Sequence, residues 1–234
     1  MQRMQRGEVV FEIGKATAYM PQEEQISNEF YKVGERYKVL LKGIIDTPRG
    51  KELVVSRADS NFLIELFKME VPEIESGVVE VKAVAREAGS RSKMAVYSNQ
   101  DGVDPIGSCV GQRGIRIANV MSELGEEKID IIEWNEDLET FIANALSPAK
   151  VESVKIKGDT ATVKVADDQL SLAIGRDGQN VRLAWKLTNI KIDIVGSEGV
   201  KKENKEAVVE EVKADVVEEA PVVETEVVEE VKAE

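Results

Sequence analysis

The chain has 234 residues, 42% of them hydrophobic, enough for one large domain or two to three small ones with real cores. One cysteine (Cys109) and no histidine exclude a disulfide framework and argue against zinc, and no cofactor is expected. No apolar run is long enough to span a membrane, and residues 1–6 lack the apolar core of a secretion signal, so no membrane partner and a cytoplasmic location are expected.

The net charge of −13 is unevenly spread. Residues 201–234 hold five lysines and twelve acids, for −7, while the other 200 residues carry 26 basic and 32 acidic side chains, for −6. Such a mildly acidic body can still carry a local basic stripe.

In chain order, residues 9–13 read as a strand stopped by Gly14, and residues 16–20 as a strand stopped by Pro21. Residues 37–45 form a longer strand broken by the turn Asp46-Thr47-Pro48-Arg49-Gly50, and residues 53–56 close the set. Regularly spaced short strands fit a small β-barrel of the OB type. Four strands are one short of closure, so the first strand is expected to be missing and the chain to be a fragment. Phe11 and Tyr19 either stack bases or fill the barrel.

Ser60 can cap a helix over residues 61–70, ended by Pro72. Residues 78–86 and 93–98 read as paired strands around Gly89-Ser90-Arg91. Asp104-Pro105 opens a short helix, with proline tolerated at the first helical position. The turn Gly111-Gln112-Arg113-Gly114 leads into a helix to about residue 124, stopped by Gly125, and residues 128–132 form a strand.

The order then repeats. Leu138, Phe141, Ile142, Ala145 and Leu146 lie on one helical face, ended by Pro148. Residues 151–157 and 160–165 make a hairpin about Gly158-Asp159. A short helix over 168–174, the turn Gly175-Arg176-Asp177-Gly178, a helix over 179–187 and a strand over 191–195 complete it. At an offset of 64, Asp104 matches Asp168, Ile106 matches Leu170, Val110 matches Ile174, both glycines of the turn match, and Ile117 matches Val181. The pattern α-β-β-α-(Gly-x-x-Gly)-α-β is thus present twice.

At average glycine frequency, roughly one Gly-x-x-Gly arises by chance in such a chain. The third, Gly196-Ser197-Glu198-Gly199, is followed by no apolar helical pattern and reads as a linker. The other two sit before helices, whose first N–H groups lack partners and carry partial positive charge. Such a turn can hold a phosphate backbone.

The candidate residues for holding such a phosphate backbone are therefore Gly111, Gln112, Arg113 and Gly114 in the first turn, and Gly175, Arg176, Asp177 and Gly178 in the second. Arg113 and Arg176 can pair with phosphate, whereas Asp177 repels it. Arg116, Arg182 and Lys186 on the following helices either extend a basic path or are solvated surface. Ile117 and Val181 are better placed in the core than in a base groove. Cys109 reads as a small buried residue, since no histidine exists to activate it. Trp134 and Trp185 read as packing residues. No carboxylate spacing suggests a metal or acid–base pair, and no phosphate-binding Gly-x-x-x-x-Gly-Lys-Ser/Thr loop is present, so an enzyme is not expected. The tail, with Val-Val-Glu-Glu-Val-Lys-Ala at 208–214 and again at 227–233, is expected to be disordered.

A Gly-x-x-Gly between two helices beside a three-stranded sheet resembles the KH module, whose turn clamps an RNA backbone of about four nucleotides. Residues 104–111 and 168–175, with Val71-Pro72-Glu73-Ile74, Lys82-Ala83-Val84-Ala85-Arg86-Glu87, Gly89-Ser90-Arg91 and the stretch 141–148, make roughly residues 8–196 similar to the bacterial NusA transcription termination/antitermination factors.

The resemblance implies an α+β multidomain chain. A partial OB-type barrel of the ribosomal S-one class spans 1–58, KH modules span 59–134 and 135–196, and a disordered acidic tail spans 197–234. It implies a monomer that binds nascent single-stranded RNA and modulates pausing, termination and antitermination, with RNA polymerase and other elongation factors as partners. The family's N-terminal polymerase-binding domain is expected to be lacking here. The rival readings are an RNA-binding module of a ribosome- or RNA-decay-associated protein, and a protein-interaction scaffold acting through the acidic tail.

Overall fold

The computed structural model describes residues 1–47 and 50–197. The tip of the predicted turn at Pro48-Arg49, the second half of the predicted linker at 196–199, and the acidic tail from 201 lie outside the described residues.

The N-terminal sheet has five strands, not four. They are β1 (Arg3–Gln5), β2 (Glu8–Ile13), β3 (Ala16–Met20), β4 (Leu40–Thr47) and β5 (Gly50–Ser56), in the order β1-β2-β3-β5-β4. Strand β1 pairs antiparallel with β2, Arg3 opposite Val10. Its three residues are exposed and lack any apolar alternation, so only its backbone pairing marks it as a strand. The ladder ends at β1 and β4 without closing.

Strand β4 starts three residues later than the pattern predicts, because Tyr37 turns inward. Its ring packs against Phe11 at 6.1 Å and Tyr31 at 5.4 Å, and its hydroxyl accepts from the Lys32 N–H at 2.8 Å. Phe11 is buried beside Val9, Ala18, Met20 and Val55, so it fills the barrel, while Tyr19 is half-buried.

The first KH module follows. It comprises α1 (Ser60–Glu70), a one-turn α2 (Pro72–Glu75), β6 (Val79–Glu87), β7 (Arg91–Ser98), α3 (Pro105–Val110), α4 (Ile115–Glu123) and β8 (Lys128–Glu133). The cap of α1 is Asp59, one residue before the predicted Ser60: its carboxylate accepts the Asn61 N–H at 2.8 Å. Pro72 both stops α1 and starts α2, where its missing N–H costs nothing.

The second module comprises α5 (Leu138–Ala145), β9 (Val151–Lys157), β10 (Thr160–Val165), α6 (Leu170–Ile174), α7 (Gln179–Thr188) and β11 (Lys191–Gly196). Each module has a three-stranded sheet, β6-β7-β8 or β9-β10-β11, with its last strand added in parallel. In α5 the predicted apolar face is buried except at Leu138, which is exposed.

The two modules share one apolar core. Ala85, Ala95 and Ile132 from the first sheet cluster with Phe141, Ile142, Leu146, Leu183 and Ala184 of the second module. Alternate residues of β7, Met94 and Val96, join the first module's own core instead. The first sheet is therefore covered on both faces, as period-two alternation allows. Lys93 lies between the modules, its ammonium 2.8 Å from the Ser147 carbonyl and 3.4 Å from Asp130. Desolvation holds its pKa below the usual lysine value, against the pull of Asp130.

The barrel is tied to the first module by Arg57. Its guanidinium forks onto Glu29 at 2.7 and 2.8 Å, reaches Glu123 at the end of α4 at 2.9 Å, and donates to the Lys38 and Glu123 carbonyls. Five donors in a rigid plane suit such a buried junction.

Candidate nucleic-acid interface

Both glycine turns form at the junction of two helices and adopt one backbone shape. Gly111 (φ 74°, ψ 173°), Arg113 (54°, 24°) and Gly114 (76°, 15°) correspond to Gly175 (77°, 174°), Asp177 (51°, 29°) and Gly178 (71°, 13°). The first glycine of each turn lies in a region that L-residues essentially never occupy, and the next residues are left-handed. The first glycine's N–H bonds back to the preceding helix, Gly111 to Gly107 at 2.8 Å and Gly175 to Ser171 at 3.0 Å. The second bonds to the carbonyl of the first, at 3.1 and 3.3 Å. The N–H groups of Gln112, Arg113, Arg176 and Asp177 find no acceptor among the described residues. These four side chains are exposed.

The two glycines of a turn differ in role. A Cβ on Gly175 would stand 2.8 Å from both Cβ and backbone N of Asn180, and one on Gly111 would stand 2.7 Å from Cγ of Arg116. A Cβ on Gly114 would meet nothing within 4 Å, and one on Gly178 only Val181 at 4.0 Å. The first glycine lets the helix come close, whereas the second faces open space.

Beneath each turn a polar side chain braces the preceding helix. Arg116 donates to the Ser108 carbonyl at 2.7 Å and to Glu73 at 3.0 Å. At the repeat offset its counterpart is Asn180, which is buried and donates to the carbonyls of Leu172, Ala173 and Leu146 at 3.3, 3.0 and 3.0 Å. Ser108 and Leu172 are themselves counterparts, so one architectural bond is made by two different residue types. Sequence reasoning passed over Asn180; the offset that pairs it with Arg116 was the available signal.

Of the predicted basic path, Lys186 is exposed and has no ion pair among the described residues, while Arg116 and Arg182 are engaged within the protein. Arg182 bonds Glu87 of β6 at 2.7 Å and the Asp177 carbonyl at 3.1 Å. Burial raises the Glu87 carboxyl, but hydrogen bonds from Arg182 and Gln179 outweigh it and hold the group below the usual carboxylate range. Glu87 has no local sequence signal, since its partners lie 92 and 95 residues away.

Ile117 and Val181 pack against the cores of their own modules. Cys109 is buried, and desolvation pushes its thiol up to about 12, too high for a nucleophile at neutral pH. Trp134 packs on Phe141 and Tyr97, but Trp185 is 41% exposed and departs from the packing role expected of it. Among the described residues, no cluster of three metal-ligating side chains exists, and no helix is long and apolar enough to cross a membrane.

Comparison with known proteins agrees with this geometry. Residues 57–134 match the family described as the NusA-like first KH domain, and residues 138–202 the NusA-like second KH domain. The chain is 53% identical over 189 residues to the transcription termination/antitermination protein NusA of Thermus thermophilus, covering 80% of this chain and 49% of that protein. It is 48% identical over 196 residues to the Bacillus subtilis protein of that name, covering 83% and 53%. It is 50% identical over 198 residues to the one from Mycobacterium tuberculosis, covering 82% and 57%. The chain spans about half the length of these curated relatives.

Proposed function

This chain belongs to the NusA family of transcription termination/antitermination proteins, and from that premise we propose that it grips single-stranded RNA with both glycine turns at once. The observation that carries this reading is the paired set of unpartnered main-chain N–H groups on exposed residues in two turns of one shape, each beside an exposed arginine. Phosphate oxygens are the natural acceptors for such donors. Gly111, Gln112, Arg113, Gly114, Gly175, Arg176, Asp177 and Gly178 make the backbone contacts, and Lys186 adds charge nearby. Joining two weak sites raises affinity through effective concentration.

The RNA is nascent transcript, and the outcome is modulation of pausing, termination and antitermination without enzymatic chemistry. RNA polymerase and its elongation factors are the protein partners, met in the cytoplasm by a monomer. A polymerase pull-down tests that part.

The direct test replaces Gln112, Arg113 and Arg176 with aspartate and measures fluorescence anisotropy on an unstructured single-stranded RNA. Binding is expected to fall at least about 100-fold, since each turn loses an arginine and gains repulsive charge. Unchanged affinity removes the turns from the mechanism.

A further inference from the structure

The second turn is held from outside its own module. Arg182 on α7 donates through Nε to Glu87 Oε1 at 2.7 Å and through Nη2 to Oε2 at 3.2 Å. Its remaining nitrogen, Nη1, donates to the carbonyl of Asp177 at 3.1 Å. Gln179, also on α7, donates to Glu87 Oε2 and to Ser90 Oγ, both at 2.8 Å. Glu87 and Ser90 belong to the hairpin between β6 and β7 of the first module. A chain of charge-assisted hydrogen bonds therefore runs from that hairpin to the backbone of the second turn.

Asp177 is a left-handed residue that is not glycine, so its conformation persists only where surroundings impose it. Holding its carbonyl fixes the peptide plane that follows Asp177, and so anchors the end of the turn whose Arg176 and Asp177 N–H groups are free. The first turn has no such link: at the repeat offset Arg182 becomes Ala118 and Gln179 becomes Ile115, neither of which carries a side-chain donor.

We propose that Glu87 is a positioning residue for RNA binding at the second turn, acting through Arg182, so that Arg182 serves RNA as a brace and not as a phosphate contact. The proposal rests on the reading of the turns as RNA clamps. A turn fixed against the first module presents its donors at a set span from the first turn, and RNA that engages both loses less ordering entropy than it would against a loose turn.

The experiment uses the full chain and an unstructured RNA long enough to reach both turns, with affinity followed across a salt series. E87A and R182A are each expected to weaken binding about tenfold, part of the gain that joining two sites confers. The double variant should bind no more weakly than either single one, because both break the same brace. The dependence of log affinity on log salt should keep its slope. E87Q, which preserves packing and one acceptor oxygen, should show a smaller loss, about threefold, and guards against a folding defect in E87A.

Wild-type affinity in both Glu87 variants overturns the proposal. So does a slope reduced by about 0.7 in R182A, the signature of a lost phosphate contact on a single strand. Gln112→Asp with Arg113→Asp, at the first turn, is the control in the same assay. Wild-type affinity there overturns the clamp reading and the brace with it. A weakened control beside unaffected Glu87 variants overturns the brace alone.

Discussion

The two glycines of the second turn should respond to the same substitution to very different extents. Gly175 sits at φ 77°, ψ 174°, and an alanine Cβ would lie 2.8 Å from the backbone N of Asn180, which cannot move without shifting α7. The backbone strain costs about 1–3 kcal/mol, and forcing an atom into a packed contact adds about 1–3 kcal/mol. A total near 4 kcal/mol corresponds to a fall in Tm of about 8–16 °C for a domain of this size. Gly178 sits at φ 71°, ψ 13°, with open space at its Cβ position. There alanine bears only the left-handed penalty, partly offset by a less flexible unfolded chain, for a net of about 1 kcal/mol. Its Tm should fall about 2–4 °C. Its methyl group projects to the side where we place the RNA backbone, so G178A should lose RNA affinity out of proportion to its stability. Thermal unfolding by circular dichroism, paired with anisotropy on the same preparations, reads both quantities. Equal melting shifts for the two variants, or a larger one for G178A, would refute the division of labour between them.

Arg57→Ala strips a cation that is 1% exposed from two carboxylates and two carbonyls, so it should destabilise the junction of barrel and first module by about 3–5 kcal/mol, read by denaturant unfolding. Burial raises the Glu127 carboxyl, but Arg86, Ser92 and the Gly89 N–H outweigh that and hold it below its ordinary value. The unfolded chain then binds more protons, so this contribution is full above an unfolded pKa of about 4.3 and fades as pH falls through the folded value. Glu127→Gln should lower stability at neutral pH and flatten the acid side of the stability profile; a profile as steep as the wild type's would contradict it.

The local elements of both KH modules were legible because each has a local cause. Apolar spacing of 3.6 or 2 residues marked α5 and the hairpin strands β9 and β10, prolines marked helix ends, and the 64-residue offset tied the two glycine turns together. The turn chemistry was legible in part: positive φ at Gly111, Gly114, Gly175 and Gly178 follows from residue type, whereas the left-handed backbone of Arg113 and Asp177 does not. Strand β1 was illegible, since Arg3, Met4 and Gln5 are all exposed and only pairing with β2 makes them a strand.

What the residues alone determined, then, is where the chain turns, which faces are apolar, and which main-chain donors two glycine turns leave unpaired. What tertiary structure decided is which charged side chains remain to meet a ligand. Arg113, Arg116, Arg176 and Arg182 are chemically alike in sequence, yet Arg116 is spent on Ser108 and Glu73, and Arg182 on a glutamate 95 residues away. An ion pair depends on distance in space, and no local pattern encodes which carboxylate the fold will carry to within 3 Å of a guanidinium. The same holds for the shared core, where small residues of β6 and β7 became an inter-module contact only because helix α7 of the second module packs against them.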